Sequence, residues 1–289
     1  AYTTKAGLLT LARLWQFSRS SATKSPDLPA KCRFSSQIRP SCGSHKQFWE
    51  TSVMCGRYTL KTPAAQLIDL FRVFDFPELT PRYNIAPTQK VLCIRLGENG
   101  VLQAVMMKWG LIPFWADDQS IGNKMINARG ETVAEKPAFR TAFARRRCLI
   151  IADGFYEWQK LSTGKKQPWL MEWFDHSPFA MAGLWESWTP KATDEAKSDD
   201  PASAVESCSI ITTEANSFMS ALHDRMPVIL SPESWMAWLS AGTRKEQLLG
   251  LVKPLAEELL IRTCVSTLVN RPIPDSPDCV QPVDPPEPL

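Results

Sequence analysis

The first methionine of the 289-residue chain is Met54, and Cys55 follows it. Removing Met54 from a chain started there exposes a cysteine with a thiol and a free α-amine on adjacent carbons. That amine titrates at about pH 7.7–8.0, so a usable fraction is uncharged and nucleophilic at neutral pH. An internal cysteine has the thiol alone. Three other polar groups interrupt apolar surroundings: Asn127 after Met125-Ile126, Glu157 within Gly154-Phe155-Tyr156-Glu157-Trp158, and His223 within Leu222-His223-Asp224-Arg225-Met226-Pro227. Burial among aromatics disfavours a charged carboxylate, and a histidine already titrates near neutrality. Both groups suit proton transfer around a nucleophile. Local sequence leaves each open: Glu157 reads equally as a surface glutamate at a strand end, and His223 as a capping or packing histidine.

Arginines and aromatics form a second pattern. Trp109-Gly110-Leu111-Ile112-Pro113-Phe114-Trp115 places rigid rings on a Gly/Pro loop, and Arg57, Arg82, Arg129, Arg140 and Arg145-Arg146-Arg147 offer phosphate contacts. Stacking rings beside backbone-binding cations is what single-strand recognition requires. Most of the eleven tryptophans must nonetheless be core, Trp235 and Trp238 above all.

The elements that must position these groups are mostly strands. Short β-type runs are expected at 91–96, 101–107, 147–152, 168–173, 179–184 and 208–212, with turns at Gly97–Gly100 and Ser162–Lys165. Helices are expected after Thr62-Pro63, with Leu67, Leu70, Phe71 and Phe74 at helical spacing, then at 232–239 behind Ser231 and at 245–251. Residues 189–206 are acidic, rich in alanine and serine, and read as a flexible surface loop. Together these patterns predict a single α+β domain with a strongly curved, barrel-like sheet.

Residues 1–53 differ from the rest. They hold no methionine, and eight Lys/Arg face only Asp27 and Glu50. This suits a transit peptide or translated flanking sequence, and the segment reads as a leader outside the functional domain. With that leader at +6 and the whole chain at +3, the remainder carries −3. Affinity for nucleic acid must then come from a local basic surface. No C-x-x-C pair exists, and the three histidines lie away from any cysteine cluster, so neither a zinc site nor a disulfide framework is expected. The chain reads as a soluble, reduced, cytoplasmic monomer with no metal, no cofactor and no membrane partner.

Six blocks occur in the order seen in the SOS response-associated peptidase (SRAP) family of abasic site processing proteins, which the chain resembles from Met54 to about Val283. They are Met54-Cys55-Gly56-Arg57, Arg82–Pro87, Trp109–Pro113, Asn127–Thr132, Ala152–Trp158 and His223–Pro227. The resemblance implies residues 54–283 as one SRAP domain, with a curved, barrel-like antiparallel sheet, flanking helices and a groove for single-stranded DNA. Residues 284–289 are expected to be a disordered tail. It further implies Cys55 as nucleophile, with Asn127, Glu157 and His223 as catalytic partners. Arg57, Arg82 and Arg129 are implied on the DNA backbone, and Trp109, Pro113, Trp115 and Trp158 against the DNA.

The implied chemistry is attack of the Cys55 amine on the aldehyde of an open abasic site, followed by thiol addition that closes a thiazolidine ring. Closure is intramolecular and gains from effective molarity. Strand cleavage by β-elimination and self-cleavage of a leader are further implied activities. Two other readings compete: an N-terminal-cysteine amidohydrolase with an oxyanion hole, and a non-covalent single-strand binder whose cysteine is structural.

Overall fold

The structure, a computed structural model, describes residues 56–190 and 204–289. The leader, Met54, Cys55 and most of the expected 189–206 loop lie outside these residues. In chain order the elements are β1 (Tyr58–Leu60), α1 (Ala64–Phe71), β2 (Arg82–Ile85), β3 (Lys90–Leu96), β4 (Leu102–Trp109) and β5 (Asn127–Arg129). Next come α2 (Arg140–Arg145), β6 (Arg147–Ala152), β7 (Gly154–Lys160), β8 (Lys166–Trp173) and β9 (Phe179–Trp188). The remainder are β10 (Val205–Glu214), α3 (Ser217–Ser220), β11 (Arg225–Pro227), β12 (Ile229–Leu230), α4 (Trp235–Leu239), α5 (Lys245–Leu251) and β13 (Leu260–Cys264).

Five strands close into a ring. β4 pairs with β3, β3 with β6, β6 with β9, β9 with β10, and β10 returns to β4. The barrel-like expectation therefore holds, with one correction: the β10–β4 closure is parallel, as is the β10–β5 pairing outside the ring. Parity demands the first of these. Alternating antiparallel neighbours cannot close a ring with an odd number of members. A second sheet runs β13-β8-β7-β1-β2.

The ring strands β3, β6 and β9 read as nearly continuous apolar runs where both of their faces are covered, whereas in β4 only Met107 and Trp109 are buried. Every residue of β6 is buried, and Val91–Ile94 and Phe179–Leu184 are buried throughout. Each fully buried Leu, Ile or Val contributes about 1.5–3 kcal/mol over its exposed state. Cys93, Cys148 and Cys208, one each on β3, β6 and β10, are buried free thiols in this core. Burial pushes Cys148 and Cys208 above the usual thiol range.

α1 and α4 are shorter than expected, whereas α5 spans 245–251 as expected. In α1, Leu67 and Phe71 are buried, but Leu70 is partly exposed and Phe74, beyond the helix end at Arg72, is exposed. Thr62 does not cap this helix; its hydroxyl donates to Asp153 Oδ1 at 2.6 Å, tying the chain to the β6–β7 corner. Val205 and Glu206, expected in a loop, extend β10 opposite Trp188 and Ser187. In the 284–289 segment, Glu287 accepts hydrogen bonds from the Ser162 amide, and the Pro288 carbonyl accepts one from Gln159 Nε2.

Candidate functional site

Glu157 stands in the middle of β7, a strand paired on both sides. Phe155 lies opposite Tyr58 of β1, and Glu157 lies opposite Trp169 of β8. The strand is packed so tightly that a Cβ on Gly154 would stand 2.8 Å from the Met171 carbonyl oxygen. Glu157 is only 3% exposed. Tyr156 donates from its hydroxyl to the Tyr83 carbonyl at 2.6 Å, and burial pushes this phenol far above its ordinary pKa. β1 runs antiparallel to β7, and the Tyr156 amide donates to the Arg57 carbonyl at 3.0 Å. The chain upstream of β1 thus passes along β7 toward Glu157.

At this place a cleft of about 400 Å3 opens, lined by Gly56, Arg57, Pro87, Trp158, Lys166 and Asn270. Its volume lies within the ~300–1,000 Å3 usual for ligand clefts. Arg57 braces one wall: Nη1 donates to Asn84 Oδ1 at 2.7 Å and to the Val269 carbonyl at 2.8 Å. Its pKa is lowered, chiefly by burial. The Trp158 indole N–H donates to Asn270 Oδ1 at 2.7 Å, which fixes the ring plane at the cleft. The loop carrying Asn270 is held to β2, since Asp275 accepts from the Asn84 amide at 2.9 Å and from Arg82.

The ring supplies the other residues through β10. Thr212 of β10 is the partner both of Arg129 on β5 and of Pro227 on β11. Arg225 joins the two flanks. Its Nη2 donates to Glu131 Oε2 and to the Thr212 carbonyl, both at 2.8 Å, and Nη1 donates to Glu131 Oε1. A bidentate arginine–carboxylate pair is both strong and geometrically selective. It lowers the pKa of Glu131 from the ordinary carboxylate value. The His223 turn is thereby clasped to the segment that begins at Asn127.

The His223 side chain is 14% exposed, with Nδ1 2.7 Å from Asp224 Oδ1. The Arg225 amide also points at Nδ1, from 3.2 Å. One nitrogen cannot donate to the first and accept from the second. We assign the proton to Nδ1, because the carboxylate contact is shorter and charge-assisted. Nε2 then keeps its lone pair. Burial lowers the His223 pKa most, Asp224 opposes that shift, and the charges of Arg225 and Lys166 add to it. Lys166 lines the cleft on the second sheet, and its charge adds a small share to the lowering of the His223 pKa.

The family model for SOS response associated peptidase (SRAP) matches residues 54–272. This chain belongs to the SRAP family. It is 40% identical over 233 residues to the abasic site processing protein YoqW of Bacillus subtilis, covering 79% of this chain and 99% of that one. The abasic site processing protein HMCES of Pongo abelii is 29% identical over 248 residues, covering 73% and 67%. A crystal structure of a protein from Bacteroides thetaiotaomicron superposes with a TM-score of 0.70 at 25% identity, covering 79% of this chain and all of the other.

Burial and local partners separate the residues expected at the DNA. Trp109 is fully buried, packed edge-on to Tyr58 with its indole N–H donating to the Ile126 carbonyl at 2.9 Å, so it is a core residue. Pro113 is buried as well. The accessible rings of that loop are Phe114, 57% exposed, and Trp115, 44% exposed. Arg129 is exposed, whereas Arg82 is held by Asp275 and by Gln89 Oε1 at 2.6 Å.

Arg147 is not available to phosphate. It is buried and donates to the carbonyls of Trp238, Phe143 and Ser240. Sequence reasoning passed over Lys166 and Asn270; the Lys165-Lys166 pair closing an expected turn was the signal for the first. A larger cleft of about 1200 Å3, bordered by Arg95, Phe114, Trp185 and Glu186, shares no residue with this site. Two of its arginines are neutralised locally, Arg95 by Glu206 and Arg146 by Glu186.

Proposed function

We propose that the chain, beginning at Cys55 once Met54 is removed, captures abasic sites in single-stranded DNA as a covalent thiazolidine. The observation that carries this reading is the run of Gly56 and Arg57 along β7. It leads the backbone adjoining Cys55 toward the buried Glu157, whose strand neighbour Trp158 walls a cleft with Lys166. Relatives named abasic site processing proteins support the same substrate.

The neutral α-amine adds to the aldehyde carbon of the open abasic sugar, giving a carbinolamine. Loss of one water yields the imine. The thiol sulfur then adds to the imine carbon, its proton passes to the nitrogen, and the ring closes with no other atom lost. Glu157 shuttles protons through dehydration and closure. His223 assists the imine step through Nε2, and the same base serves ring opening in reverse. Asn127 orients the amine or the thiol. The exposed Arg129 adds a backbone contact, and Trp115 offers a ring for stacking.

The test mixes protein shown by mass to begin at Cys55 with a single strand bearing one abasic site. An SDS-stable species is expected that Cys55→Ala does not form and that Glu157→Gln forms at least about 100-fold more slowly. Non-covalent binding alone, or glutamine hydrolysis in its place, would assign the chain to one of the competing readings.

A further inference from the structure

Two charged side chains line the cleft, and they differ in what they can offer a ligand. Arg57 is drawn inward by three acceptors, the Asn84 amide oxygen and the carbonyls of Val269 and Arg271. Lys166 is exposed and opens β8 opposite Lys160 of β7. Its backbone is fixed to the cleft wall, because its carbonyl accepts from Asn270 Nδ2 at 3.2 Å. Its ammonium has no ion pair or hydrogen bond among the described residues. Trp158 lies on the adjacent strand, paired with Pro168 two residues beyond Lys166. The cleft therefore sets an uncommitted cation and a fixed indole side by side.

A point charge on a flexible stem beside an aromatic face suits one nucleotide of a single strand, with phosphate on the ammonium and base on the ring. We propose that Lys166 is the phosphate anchor of the cleft, taking the backbone phosphate next to the abasic nucleotide while Trp158 faces the neighbouring base. This rests on the proposed function for its substrate. It adds a positioning residue that acts on capture of the strand, outside the covalent steps.

The experiment measures affinity for an undamaged single strand as a function of salt, for the parent, Lys166→Met and Lys166→Arg. Thermal melts establish that all three are folded. Loss of one phosphate contact should reduce the slope of log K against log[salt] by about 0.7 for a single strand. Lys166→Met is expected to show that reduction and to bind about 3–10-fold more weakly near 0.1 M salt, and Lys166→Arg is expected to keep the parent's slope. At sub-saturating abasic strand, crosslinking by Lys166→Met should slow in proportion to its weaker binding. An unchanged slope in Lys166→Met, or a slope lost equally in Lys166→Arg, would overturn the anchor. A parent that never crosslinks would defeat the proposed function and leave the slope to decide Lys166 by itself.

Discussion

His223 is built to remain uncharged. Its pKa lies below the ordinary histidine value of about 6.5, chiefly because the ring is buried, and only Asp224 pulls it upward. The sign for stability follows. Below pH ~6.5 the unfolded chain takes a proton at this position that the folded chain refuses, so acidification costs stability until the folded pKa is reached. Asp224 is mostly exposed and solvent screens it, which keeps its influence modest. The expected result, read by NMR with a His223→Gln control for assignment, is a midpoint below 6.5 that moves lower still in Asp224→Asn. A midpoint at or above 6.5 would contradict the account. At this scale the sequence was partly legible. A polar residue inside an apolar run marked Glu157 and His223, but nothing in the same local pattern separated Trp109, sealed in the core, from Trp115 on the surface. Exposure of a loop ring depends on which sheets close over it, and that is a long-range property.

At the scale of elements, Arg147 shows how a charge run misleads. Arg145-Arg146-Arg147 resembles a phosphate-binding cluster, yet the first residue of β6 turns inward and ties three carbonyls together. It joins the end of α2 to α4 and the Ser240 that follows. Arg147→Met strands those carbonyls and is expected to cost at least about 1–3 kcal/mol in urea denaturation, as for a buried acceptor left unsatisfied. Affinity of the folded fraction for single-stranded DNA should be unchanged; a loss of affinity at unchanged stability would restore the phosphate role. Gly110 is similarly structural. Its φ is +131°, and a Cβ there would stand 2.6 Å from the Gly122 carbonyl oxygen, which locks the start of the Phe114-Trp115 loop against its neighbour. Six of the eight strands with five or more residues and both turns were legible from apolar runs and turn residues, whereas β7 and β13, interrupted by polar residues, were not. The two- to four-residue strands β1, β2, β5, β11 and β12 were not, since so few residues have no readable period and owe their conformation to the partner strand.

At the scale of the whole molecule, the proposed site draws on both the ring and the second sheet. The second sheet provides Glu157, Trp158 and Lys166, and the ring brings Asn127, Arg129 and His223 through β10. Such a division was invisible in sequence order, where Glu157 and His223 stand 66 positions apart. Ordered motif blocks nevertheless named the family before any coordinate did. Without residues 1–53 the chain carries −3, so the proposed binding of DNA requires local cations, the role proposed for Arg129 and Lys166. No helix among the described residues is long and apolar enough to cross a membrane.

The central claim is that amine and thiol of one cysteine both bond the abasic carbon, and the most direct measurement compares Cys55 with Cys55→Ser. Serine keeps the α-amine and loses the thiol. The account predicts that the cysteine protein gives a crosslink stable to heat and SDS without any reductant. Cys55→Ser should give one only when borohydride traps its imine. Equal crosslinking by both proteins without borohydride would contradict the thiazolidine, because the thiol would then contribute nothing to the bond.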